Sequence, residues 1–99
     1  MPRPPAEMFA AALGHHQAGR LETAKALYVK VLKAAPGHPE SLHLLGVLNH
    51  QDGRSEAGLA LIERAIAARG DCALYHHNRG EVLRALGRLE EAVAAYRRA

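Results

Sequence analysis

The segment His15–Ala24 reads HHQAGRLETA, NHQDGRSEAG follows at Asn49–Gly58, and LRALGRLEEA stands at Leu83–Ala92. Gly19-Arg20, Gly53-Arg54 and Gly87-Arg88 are thus one dipeptide returning at an interval of 34 residues. A turn repeated at such a period marks an array of similar units, each burying its apolar face against the next. Other properties return with it. Seven residues before the glycine stand Ala12, Gly46 and Gly80, and five after it Ala24, Gly58 and Ala92, small enough for two helices to approach closely. Nine residues after it stand Tyr28, Ile62 and Tyr96, large side chains suited to fill the wedge between units. Each turn glycine supplies the left-handed conformation that ends a helix.

Working outward from the three turns, apolar residues recur at three- and four-residue intervals on both sides. The spacing predicts an all-α chain of six helices, at about 5–18, 21–34, 39–52, 55–68, 73–86 and 89–99. "PGHP" at Pro36–Pro39 and "RGDC" at Arg69–Cys72 separate the three helix pairs. Ser41 and Ser55 read as helix-start residues. Gly58, inside a helix, is expected to cost about 1 kcal/mol relative to alanine and to make the middle unit the softest.

Composition agrees with an all-helical domain. The 99 residues are 48% hydrophobic, with one Phe and no Trp, and allow one domain with a modest core. No apolar run approaches the roughly 18 residues of a membrane span, and the proline-bearing start lacks the apolar region of an export signal. A single cysteine, Cys72, suits a reducing cytoplasm, and cytoplasmic localisation is expected. The net charge of +3 is spread along all the helices with acids nearby, so neither nucleic acid nor membrane is an expected partner.

A small residue, Gly turn, Ala, aromatic and Pro at these offsets resembles the tetratricopeptide repeat. The units are 5–38, 39–72 and 73–99 of a single domain spanning 1–99. The first matches at Gly19, Ala24, Tyr28 and Pro36, with Ala12 for the usual early Gly; in the second, Gly58 and Gly70 replace the usual Ala and Pro. The third matches at Gly80, Gly87, Ala92, Tyr96 and Ala99 and holds 27 of the 34 residues, so the chain is expected to be a fragment of a longer protein. The resemblance implies an α-solenoid of antiparallel helix pairs with a right-handed superhelical curve. It also implies a concave groove, lined by the first helix of each pair, that binds a protein or peptide.

Four offsets before each turn glycine would line that groove. The residues expected to bind a partner are Phe9, Leu13 and His16; His43, Val47 and His50; and His77, Asn78, Glu81 and Arg84. Phe9, Leu13 and Val47 would receive apolar side chains, Asn78 would bond a peptide backbone, and Arg84 would pair with an acid. The histidines have three readings. Packing or polar lining carries most weight. Metal ligation needs convergence that equivalent positions on adjacent pairs rarely give, and neighbours such as His15-His16 and His76-His77 diverge on a helix, so no metal is expected. A partner site weakening as pH rises through about 6.5 is the third. Replacing His43 and His50 together by Ala is expected to leave folding nearly intact.

No nucleophile with a base, phosphate-cradling loop or close carboxylate pair is found, so neither catalysis nor a cofactor is expected. The leading expectation is an interaction scaffold. Within the family, apolar Phe9, Leu13, Val47 and Leu74 argue against the clamp for an acidic chaperone tail. The asparagine ladder of O-linked N-acetylglucosamine transferase-like proteins is met only at Asn78, its other positions being Ala10 and Leu44. The chain also resembles the opening of bacterial arrays of that kind, which makes a substrate-recruiting segment of a larger enzyme, for example a glycosyltransferase, the first alternative. Val93 and Tyr96 lack a following helix, so self-association through that end is expected, and a self-assembling array is the second alternative.

Overall fold

The structure, a computed structural model, describes residues 3–99, and the described residues form six α-helices. These are α1 (Pro5–Gln17), α2 (Leu21–Ala34), α3 (Pro39–Gln51), α4 (Ser55–Ala68), α5 (Ala73–Ala85) and α6 (Leu89–Arg98). Every helix start agrees with the periodicity, and every end falls within one residue of it. Each helix packs against the next in chain order, and α3 also touches α5. The first helices of the pairs therefore form the inner side of an elongated stack, 47 × 25 × 19 Å. No helix is long and apolar enough to cross a membrane.

The three turns share one geometry. Gly19, Gly53 and Gly87 have φ of 81°, 84° and 78°, and no other described residue has positive φ. In each turn the glycine N–H donates to the carbonyl three residues back: His16, His50 and Arg84, all at 3.0 Å. The following arginine N–H donates to the carbonyl five back: His15, Asn49 and Leu83, at 2.8 to 2.9 Å. These two bonds satisfy carbonyls that a helix end leaves without partners.

Within the middle pair the helices approach until backbones touch. A methyl group on Gly58 would stand 2.5 Å from the Gly46 carbonyl oxygen, and one on Gly46 would stand 2.8 Å from that of Gly58. Gly58 is thus a requirement of close packing rather than a weak point, which corrects the expectation of a soft middle unit. The wedge residues also do what the pattern predicts. Tyr28 lies with Leu45 and Leu48 of the second pair, and Ile62 with Val82 and Leu83 of the third, both fully buried.

Ser55 begins α4 as expected, whereas Ser41 is the third residue of α3 and does not start it. His38 caps α3, its Nδ1 accepting from the Ser41 N–H at 3.2 Å, and Ser41 is wholly buried with its hydroxyl unbonded. Ser55 is the first residue of α4, and its hydroxyl bonds His50 Nδ1 at 2.8 Å. The imidazole at a loop end has taken the role assigned to a hydroxyl.

Candidate functional site

The inner face is built by α1, α3 and α5, and its chemistry differs from one unit to the next. Ten residues before each turn glycine stand Phe9, His43 and His77, in three different settings. Phe9 is half-buried against Tyr28 and His38, with ring centroids 6.1 and 5.0 Å away. His43 is only 3% exposed; its ring stacks on Tyr75 at 4.5 Å, and the Asn78 Nδ2–H donates to its Nε2 at 2.8 Å. Burial pushes the His43 imidazole down to about 4, so it is neutral at physiological pH. His77 is exposed, 5.7 Å from the Tyr96 ring and 3.8 Å from Glu81.

The other expected groove residues divide between packing and surface. Leu13 is half-buried, and Val47 packs on the core formed by Leu59, Ile62, Val82 and Leu83. His16 Nδ1 and the Tyr28 hydroxyl share a 2.9 Å hydrogen bond, and burial pushes Tyr28 up to about 12. Glu81 joins three neighbours. It accepts from Tyr96 at 2.9 Å and from Arg84 at 2.7 Å, contacts that hold its carboxyl below the usual range, and it faces His77. The structure thus brings together His43 with Asn78, and His77 with Glu81 and Arg84. Phe9 and His16 instead serve the first pair's own packing around Tyr28.

Two expectations change. With His43 buried and His50 holding Ser55, the double alanine variant removes a stacked core ring and a turn bond, so it is destabilising. His43 also has no charge to lose near pH 6.5, so it cannot supply a partner site that weakens there. Among the described residues no three His, Cys, Asp or Glu side chains converge as a metal-ligand set.

The sequence reading missed a notch of about 210 Å³ between the starting ends of α3 and α5. Buried His43 and Tyr75, half-buried Leu44 and Cys72, and exposed Glu40, Arg69 and Leu74 line it. Leu74 is 55% exposed, a large apolar side chain left in water. Asn78 follows Leu74 by four residues and so shares its face of α5. The signal was two leucines, Leu44 and Leu74, at positions where the groove was scanned for polar groups. A wider hollow of about 620 Å³ lies at the outer side of the first pair, between Met8 and Leu27 with Arg3, Lys30 and Lys33 around it.

Tetratricopeptide repeat models match residues 15–79 and 73–99. Solved structures share the fold. One is a crystal structure of MamA, with a TM-score of 0.91 and 21% identity over 98% of this chain and 57% of that one. Another is the first such repeat domain of Spaghetti, bound to the HSP90 peptide SRMEEVD, at 0.88 and 20% over 95% of this chain and 75% of that one. A third is a mutant of O-GlcNAc transferase from Thermobaculum terrenum, at 0.86 and 33% over 99% of this chain but 20% of that one. No curated protein sequence matches the chain.

Proposed function

Because the chain belongs to the tetratricopeptide repeat family, we propose that it is a protein-interaction scaffold whose inner face holds an extended peptide across α3 and α5. The observation that carries this reading is the notch with Asn78 beside it. An amide side chain has two N–H donors and one oxygen. His43 takes one donor, which leaves the other N–H and the oxygen of Asn78 for a peptide group. Leu44 and Leu74 then receive one apolar side chain of that peptide, removing the exposed surface of Leu74 from water. Arg84 and His77 lie further along the same face for an acidic group. The peptide-bound Spaghetti domain supports the mode of binding, although the apolar lining here favours a different ligand from its acidic HSP90 peptide.

The test is selection from a random peptide library, followed by fluorescence anisotropy with the peptide recovered. Leu74→Asp alters an exposed residue and leaves the fold intact, and it is expected to weaken binding at least about tenfold. Asn78→Ala is expected to weaken it by a similar factor through the lost amide bonds. Full affinity in Leu74→Asp would refute the notch as the site.

A second reading is favoured by the transferase structure, similar along almost the whole of this chain. The array would then recruit substrate for an enzyme encoded in the same reading frame. Sequencing the gene past the Ala99 codon separates the two, since a catalytic domain there supports recruitment and a stop codon excludes it.

A further inference from the structure

Two opposite charges line the notch between α3 and α5. Glu40 stands in the first turn of α3 and Arg69 caps the end of α4, and both are exposed. Neither is ion-paired, with the other or with any other described residue. Burial pushes the Tyr75 hydroxyl up, Cys72 and Glu40 add to the shift and Arg69 opposes it, so both charges lie within electrostatic reach of that phenol. Asp71, two residues from Arg69, does not line the notch.

The corresponding place at the junction of the first two pairs, 34 residues earlier, is built differently. His38 stands there in place of Cys72, its ring centroid 5.0 Å from that of Phe9, and the positions of Glu40 and Arg69 are held by Ala6 and Ala35. The charges accompany the small Cys72 and its hollow, and are missing where an imidazole packs instead. Helix ends favour an acid at the start and a base at the finish. That demand alone does not explain the contrast, because α1 and α2 meet it elsewhere, at Glu7 and Lys33.

An unpaired charge beside an apolar hollow discriminates between ligands, because it attracts the opposite charge and repels the like one. In an extended peptide alternate side chains share a face, so the residues two before and two after the one in the notch point to the same side. We propose, building on the peptide-binding reading of the inner face, that Glu40 and Arg69 select which peptide is held. It carries an apolar side chain for the notch, a base two residues to one side for Glu40, and an acid two residues to the other for Arg69. A peptide with the same sign on both sides meets one attraction and one repulsion and binds more weakly.

Fluorescence anisotropy on the full chain tests this with peptides selected from a random library. The selected peptides are expected to carry that pattern, and replacing their acid by lysine is expected to weaken binding about fivefold. Arg69→Glu should reverse the preference, binding the lysine peptide better than the original. Glu40→Lys should do the same for a peptide whose base is changed to glutamate. A loss of helix stability would weaken all peptides alike, so the reversal is a readout that folding cannot imitate, and circular dichroism confirms the helices in each variant. Selected peptides that Leu74→Asp releases but that show no charge bias, or variants that fail to reverse it, would overturn this proposal and leave the notch as the site. No selected peptide, or peptides indifferent to Leu74→Asp, would overturn the reading of the inner face and this proposal with it.

Discussion

Lowering the pH should loosen this protein through one buried ring. His43 has a pKa of about 4 in the folded chain, against about 6.5 for an imidazole in the unfolded chain. The unfolded state therefore takes up a proton that the folded state refuses. The stability His43 confers is complete above pH 6.5 and is lost as pH falls through 4. The difference of 2.5 units corresponds to about 3 kcal/mol, most of it lost between pH 6.5 and 4. In a domain of this size that is a large share of total stability. The assay is urea unfolding followed by circular dichroism at closely spaced pH values, on the natural chain and on His43→Gln. The glutamine keeps an acceptor for Asn78 but cannot titrate, so the variant should be less stable at pH 7 and lose less on acidification. The other histidines contribute equally to both chains and cancel in the comparison. Parallel stability curves for the two chains across this range would refute the reasoning.

Other substitutions probe packing. Gly58→Ala forces a methyl group against the Gly46 carbonyl. Overpacking of about 1–3 kcal/mol, set against a helix-propensity gain of roughly 1 kcal/mol, predicts a net loss of up to about 2 kcal/mol, and a raised Tm would contradict the close approach. Ser41→Ala deletes a buried hydroxyl that bonds nothing and should be neutral or stabilising by up to about 1 kcal/mol; a marked loss in urea unfolding would mean that the hydroxyl has a partner. Tyr28→Phe removes the bond to His16 and should cost about 1 kcal/mol, measured the same way.

Three glycines at one interval were enough to read the helices, because a left-handed turn residue and small contact residues are local demands that sequence states directly. The exposure of the inner face is not local. Phe9, His43 and His77 hold the same position, yet His43 alone is sealed, because the aromatic residue stacked on it, Tyr75, belongs to the following pair. The equivalent of Tyr75 in the second pair is Ser41. The notch escaped notice for a related reason: Leu44 and Leu74 come from different units, and only the stacking of α3 against α5 gives them a common hollow. His38 as the cap of α3 was likewise invisible, since an imidazole rarely replaces Ser or Asp there.

The central claim, that the inner face at α3 and α5 recognises a peptide, is tested most directly by a proton–nitrogen correlation spectrum of the labelled chain titrated with the library-selected peptide. The account predicts shifts concentrated at Leu44, Leu74, Tyr75 and Asn78 and along α5 to Arg84. Shifts confined to the outer hollow at Met8 and Leu27, with Leu44, Leu74 and Asn78 unmoved, would contradict it.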